Sequence, residues 1–326
     1  MSTEAAFPLT LQQAVIYFAN PDTCLEFMTG MRWADGVACP HCKSKEVGFL
    51  QTRKIWKCKR KECRKQFSIK TGSIMEDSPL GLDKWLIAIW LIVNAKNGIS
   101  SYEVHRALGV TQKTAWFLLQ RIRYAMQTGT FEKLSGEVEA DETYVGGKVT
   151  NMHKDKREQR AKGRGGIGKT IVLGMLERGG RVKAKVIANN NRETLHREVR
   201  EHVSPVTKGS AKDHVTHLYT DGHAGYQGLE EEYIHQVIDH AIEYVNGNIS
   251  TNGIENFWTL LKRSIKGTYV AVEPEHLHRY VDEQAFRYNN RKTVDSERFL
   301  SVVRLAPGRR LTYKKLVIGR KKAEPN

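Results

Sequence analysis

The amino-acid sequence predicts an α/β protein in which two small modules precede a larger mixed domain, and three observations predict it. Four of the five cysteines fall in two close pairs between Cys39 and Cys63. Two short amphipathic helical runs flank a glycine turn at Gly109. Beyond Gly136 the apolar period changes from helical to alternating, the signature of strands. The expected bounds are 1–78 for N-terminal helices and the cysteine module, 79–135 for the helical module, 136–310 for the mixed domain and 311–326 for a basic tail.

Residues 10–30 read as a short helix, a break at Asn20-Pro21 and a second helix. Cys39-Pro-His-Cys42 follows, then fifteen residues, then Cys58-Lys-Arg-Lys-Glu-Cys63. The intervening segment alternates as a β-hairpin, and residues 66–73 add a third strand. Four thiolates on two turns of a small sheet make a closed tetrahedral Zn²⁺ site, a zinc ribbon, and a site filled by sulfur alone is structural. The second pair departs from the commoner two-residue spacing. His41 reads as a bystander and Cys24 as an ordinary half-buried thiol. Arg53, Lys54, Lys57 and Lys59, with Arg60, Lys61, Arg64 and Lys65, ring the module and suit contact with phosphates.

Residues 81–93 form a strongly apolar helix. Ser101–Leu108, Gly109-Val110-Thr111 and Gln112–Met126 then read as helix, turn and helix, with Val104, Leu108, Ala115 and Leu118 on the inner faces. In a helix-turn-helix the start of the second helix meets base edges, which singles out Gln112, Lys113, Thr114 and Trp116. Arg121, further along, is assigned with Lys113 to phosphate.

The charge supports such a partner. With 52 Lys+Arg against 36 Asp+Glu the formal net charge is +16, which favours a polyanion, nucleic acid first. The longest apolar run, Trp85 to Val93, is far too short to span a bilayer. The first ten residues carry neither a basic segment nor a hydrophobic signal core. No membrane partner is expected, and the cytoplasm is the expected compartment.

In the mixed domain, residues 137–147 alternate and carry Asp141 beside Glu142. Residues 169–189 read as a hairpin turning at Gly179-Gly180, and residues 193–203 as a helix. A short apolar strand ends at Asp221-Gly222, and residues 235–245 supply one more strand-like piece. The closing helix, 250–269, places Ile254, Phe257, Trp258, Leu261 and Ile265 on one stripe. Glu255 lies at the rim of that stripe, Lys262 returns to nearly its face two turns on, and Arg263 and Lys266 extend that side to guide a phosphate backbone. A three-strand meander, helix, strand and closing helix, with acids on the first strand, the fourth strand and the last helix, describe a ribonuclease H-like fold.

The chain here resembles the DDE transposases of bacterial insertion sequences, in the group with an N-terminal zinc ribbon. The pieces that carry the resemblance are CPHC with CRKQFS, ADETYVGG, YTDGHAGY, STNGIENFWTLLKR with GTY, and RYNNR. What it implies is a metal-dependent nuclease and strand-transferase with Asp141, Asp221 and Glu255 as its acidic triad, acting on insertion-sequence ends and target DNA. In that group the Asn of T-N-G-I-E is an alternative third ligand, which leaves Asn252 beside Glu255. Such acids can bind two Mg²⁺ or Mn²⁺ ions through hard oxygen ligands for in-line displacement at a phosphodiester, with Lys262 on phosphate near the scissile bond. A homo-oligomer in the active complex, associated with the nucleoid, completes that expectation. The competing reading is a DNA-binding regulator that keeps zinc ribbon and helix-turn-helix but has lost catalysis.

Residues 163–170 match the Walker A pattern letter for letter. The segment before them is too charged for a buried strand and the one after them alternates, so a basic loop leading into a strand is the better reading. His240 precedes the closing helix and reads equally as a site residue or a satisfied core histidine.

Overall fold

The computed structural model describes residues 7–127, 132–147, 169–206, 215–238 and 251–317. The chain divides into two compact units, Met1–Met126 with Lys292–Asn326, and Gln127–Arg291.

The first unit opens with helices α1 (Leu11–Tyr17) and α2 (Pro21–Arg32). Thr10 caps α1 in a reciprocal capping box with Gln13, and Asn20 caps α2 ahead of a first-turn proline. Strands β1 (Val47–Leu50), β2 (Ile55–Cys58) and β3 (Gln66–Phe67) form an antiparallel sheet in that order. Its small core is aromatic: Trp56 lies 5.3 Å from Trp33 and 6.0 Å from Phe67, centroid to centroid.

Helix α3 (Leu82–Asn94) is buried along most of its length, with Trp85, Leu86, Ile89 and Trp90 at its centre. Helices α4 (Ser101–Leu108) and α5 (Gln112–Met126) follow with the bounds read from the sequence. A Ser100–Glu103 capping box starts α4, and Gly109 ends it at φ +62°, the left-handed conformation glycine adopts without a steric penalty. The sequence bounds assign residues 292–310 to the mixed domain; in the structure they return to the first unit. Phe299 packs against Trp90 with the rings tilted and their centroids 5.2 Å apart, and Arg298 donates to Asn94 at 3.0 Å.

The second unit is built on a five-stranded sheet in the order β6-β5-β4-β7-β8. The strands are β4 (Glu137–Val145), β5 (Thr170–Glu177), β6 (Val182–Ile187), β7 (His217–Asp221) and β8 (Ile234–Ile238). The first three pair antiparallel, whereas β7 and β8 run parallel to β4. Alternate residues divide the core between two faces. Val138, Ala140, Leu173 and Met175 pack with Leu195 and Val199 of helix α6 (Arg192–His202) and with Tyr226. Val172, Leu176 and Val182 face Ile254, Phe257, Trp258 and Leu261 of helix α7 (Asn252–Ser264) and Leu277 of helix α8 (Pro274–Asn289). Helices α9 (Asp295–Leu305) and α10 (Tyr313–Val317) close the described chain within the first unit. None of the described helices is long and apolar enough to cross a membrane.

Candidate active site

The cysteine module gathers its four sulfurs as the spacing predicts. The Sγ atoms of Cys39, Cys42, Cys58 and Cys63 all lie within 4.8 Å of one another, with Cys39–Cys63 at 3.8 Å and Cys42–Cys58 at 3.6 Å. A tetrahedron with zinc–sulfur bonds of about 2.3 Å has edges of about 3.8 Å, so the donor set fits Zn²⁺. Lys43 and Arg64, the residues just after each pair, both take positive φ, +63° and +47°. The longer second spacing is absorbed by a turn in which the N–H groups of Cys63 and Arg64 both donate to the Arg60 carbonyl. The backbone N–H of Ser44 brings the Cys42 thiol down to about 7, whereas burial pushes the Cys58 thiol up to about 12. The eight cations around the module are all exposed, though Lys54 pairs with Asp22 and Arg60 with Glu62.

In the second unit the acids stand where parallel pairing stops. The β4–β7 register ends with Glu139 opposite Tyr219; two residues further along each strand come Asp141 and Asp221. Glu255 lies in the first turn of α7. Asp141 and Asp221 are half-buried, whereas Glu255 and Asn252 are exposed. Burial pushes the Asp141 carboxyl up to about 6, with Asp221 and Glu255 adding repulsion while the Trp258 indole N–H, 2.8 Å from its Oδ2, counteracts. Burial beside Asp221 and Asp141 pushes Glu142 up to about 8. The same carboxylates and its own burial raise the Tyr226 hydroxyl well above its ordinary range. Half-buried carboxylates that repel one another make a pocket that favours a cation.

These acids are less tightly gathered than the thiolates. Among the described residues, a second set of close donors is Glu198, Glu201 and His202. There Lys185 already supplies the cation, 2.7 Å from Glu198 and 3.6 Å from Glu201.

The other expected residues fall into place unevenly. Lys262, Arg263 and Lys266 are exposed along α7 and its continuation, a π-helical turn at Ile265–Tyr269. Val270 then takes φ +61° in a γ-turn closed by Ala271 N–H on the Tyr269 carbonyl, a strained conformation for a β-branched residue. Lys113 is exposed, its ammonium 5.2 Å from the Tyr313 ring, and Gln112 donates to Ser101 of α4 at 2.9 Å. Thr114 and Trp116 are half-buried. Arg121 departs from its assignment. Its guanidinium lies between Trp85 and Phe117 and donates to the Glu76 carbonyl, and the residue is 4% exposed, so it holds the module together and offers no free charge to phosphate. Thr170 opens β5 and not a helix, the wrong element after a phosphate-cradling loop. Residues 163–168 and His240 lie outside the described residues.

Sequence reasoning left several residues without a role. Trp258 was read as core, yet its N–H fixes Asp141; a buried indole needs a hydrogen-bond partner, and that was the available signal. His223, just past Asp221, contacts Asn190 through Nε2 and accepts the Gly225 N–H at Nδ1. The RYNNR segment has a structural explanation. The Asn289 amide pairs both ways with the Val182 backbone on edge strand β6, at 2.8 and 3.0 Å, and Arg291 donates to the Gly180 carbonyl at the turn before it.

Comparison with known proteins joins these observations. Residues 133–289 match the model of the ISXO2-like transposase domain, and residues 19–66 match the transposase zinc-ribbon domain. A protein of Halobacterium salinarum described as an uncharacterized protein in transposable element ISH50 is similar, 26% identical over 258 residues that cover 76% of this chain and 83% of that one. The first match spans every described strand of the second unit, with Asp141 in the middle of β4 and Asp221 at the end of β7; the second holds all four cysteines, and helices α3–α5 fall between the two. The chain thus carries a transposase zinc ribbon ahead of an ISXO2-like transposase domain, the arrangement of an insertion-sequence transposase.

Proposed function

We propose that this transposase binds the ends of its insertion sequence and cuts and joins DNA at a divalent-metal site formed by Asp141, Asp221 and Glu255. What supports the reading is that the middle of β4, the end of β7 and the first turn of α7 set Asp221 and Glu255 within repelling range of Asp141. A sheet with three antiparallel strands followed by two parallel to the first supports a ribonuclease H-like fold for 136–291. Glu255 is the third ligand in this reading, with Asn252 the alternative.

When bound, Mg²⁺ or Mn²⁺ supplies charge neutralisation at the phosphodiester and lowers the pKa of the attacking hydroxyl or water. The protein's own part is to hold the carboxylates, with Trp258 fixing Asp141 through its N–H. The exposed cations Lys262, Arg263 and Lys266 orient the phosphate backbone along α7. Helices α4 and α5 serve as a helix-turn-helix, with Lys113 on phosphate and Thr114 toward base edges. The zinc ribbon holds one structural Zn²⁺ and adds phosphate contacts. A homo-oligomer assembled on DNA in the cytoplasm belongs to the same reading.

The test is cleavage of DNA carrying the element's ends. Mg²⁺ should support cutting and joining by the wild type, and Asp141→Asn, Asp221→Asn and Glu255→Gln should each abolish both while binding ends within about twofold, because binding rests on the basic modules. Wild-type protein that binds ends and never cuts with Mg²⁺ or Mn²⁺ would return the chain to the regulator reading.

A further inference from the structure

Below the three acids lies a further carboxylate, on β4, that bonds to α7 and stands opposite Tyr219 of β7. Glu139 is 2% exposed, on the face of β4 that carries Asp141 two residues later. Its Oε2 accepts the backbone N–H of Ile254 at 2.9 Å, and its Oε1 accepts Arg178 Nε at 2.9 Å. Arg178 lies over the Tyr219 ring at 4.1 Å, and both Arg178 and the Tyr219 hydroxyl donate to Glu137, at 3.4 and 3.1 Å. Ile254 is one residue before Glu255, Tyr219 two before Asp221, and Glu139 two before Asp141. Each strand or helix that brings an acid is therefore gripped within two residues of it.

The bond to Ile254 has a specific physical meaning. The first N–H groups of a helix lack partners inside it, and Thr251, at the cap position of α7, makes no capping hydrogen bond with its side chain. Glu139 supplies the cap from another strand and sets its negative charge against the positive end of the helix. Gly253 makes room: a Cβ there would lie 2.8 Å from Glu139 Oε2 and 2.5 Å from Leu176 Cδ2. A buried carboxylate is stable only with full pairing, so its two bonds fix the helix start against β4 and β5. Two residues along a strand span about 7 Å, which keeps Glu139 away from the reacting atoms.

We infer that Glu139, backed by Arg178 and Tyr219, is the positioning residue that sets the register of the three acid-bearing elements and so the geometry of the metal site. The inference rests on the reading of Asp141, Asp221 and Glu255 as metal ligands.

Tb³⁺ alone is the probe, an oxygen-seeking ion whose luminescence is sensitised by a nearby indole; Trp258 touches Asp141. In the full-length protein, Asp141→Asn and Trp258→Phe identify the signal from this site. Glu139→Ala should weaken Tb³⁺ binding by about tenfold or more and raise the Mn²⁺ needed for half-maximal cleavage, as loss of an outer partner does. It should lower kcat while KM for end DNA holds. Glu139→Gln, which keeps one oxygen for the Ile254 N–H, should recover part of the loss. A folded Glu139→Ala protein with wild-type Tb³⁺ affinity and Mn²⁺ dependence overturns the inference. If Glu139→Ala does not fold, Glu139→Gln is read alone, and wild-type values there overturn it equally. Tb³⁺ binding indifferent to Asp141→Asn would instead overturn the ligand assignment, so the two failures are distinct.

Discussion

Gly174→Ala adds one methyl group at a close approach of helix and sheet in the second unit. Gly174 pairs with Asp141 across β4 and β5, and the Trp258 ring lies over it. A Cβ there would stand 2.5 Å from Cη2 and 2.7 Å from Cζ2 of Trp258, and 2.8 Å from Cδ1 of Ile254. Ordinary carbon contacts need about 3.5–4.0 Å, so the ring must withdraw by about 1 Å. The Trp258–Asp141 bond is 2.8 Å long, and a retreat of that size takes it out of hydrogen-bonding range. Overpacking costs about 1–3 kcal/mol and loss of the bond about another 1–2 kcal/mol, together near 3 kcal/mol. In a domain of this size that lowers Tm by roughly 6–12 °C. The assay is denaturant and thermal unfolding of the single variants and of the pair with Trp258→Phe, which removes the clashing edge of the indole. The expected coupling is about 1–3 kcal/mol in favour of the double variant. A Gly174→Ala protein within about 0.5 kcal/mol of wild type, the limit of a surface change, would refute the claimed contact.

Three further outcomes follow from the site. Asp141 and Glu142 have carboxyls raised to about 6 and about 8, so their contribution to stability is present below the ordinary carboxylate range and lost as pH rises through those values. In buffer free of divalent cations the unfolding free energy should fall by several kcal/mol between pH 4 and 8, and Mg²⁺ or Asp141→Asn should reduce the slope; a flat profile in wild type would refute it. Metal analysis should find one zinc per chain, and Cys58→Ser should lose it and unfold residues 33–67 while the transposase domain keeps its melting transition. Lys113→Ala should weaken DNA binding and reduce its salt slope by about 1, whereas Arg121→Ala should lower stability by about 2–4 kcal/mol, since it empties a place between two aromatic rings.

How much was legible depended on whether a residue's partner lay nearby in sequence. The cysteine pairs, the capping boxes and Gly109 act over a few residues, and their consequences were readable at that range. Asp221 stands out because it ends an apolar run, a local signal for a strand with an acid at its tip, whereas Asp141 lies in the middle of β4, where alternation alone marks no site. Glu139 takes its partner 115 positions away, and nothing in the alternation of residues 137–141 separates a buried carboxylate from a solvated one. Arg121 failed for a related reason: helical period tells which side a guanidinium occupies, but not whether an indole waits there to cover it. The return of residues 292–317 to the first unit was equally hidden, because an amphipathic helix such as α9 needs an apolar neighbour without specifying which.

That return has a consequence in time. The ribosome makes the cysteine module and helices α1–α5 first, yet Phe299 of α9, which packs against Trp90, is added only after the whole transposase domain. At about 5–20 residues per second the interval is on the order of ten to thirty seconds. Throughout it the apolar flank of α3 awaits its cover, while the domain in between can fold on its own schedule. The unit with the zinc ribbon is thus begun first and finished last, and the transposase domain is fully synthesised before that unit is complete.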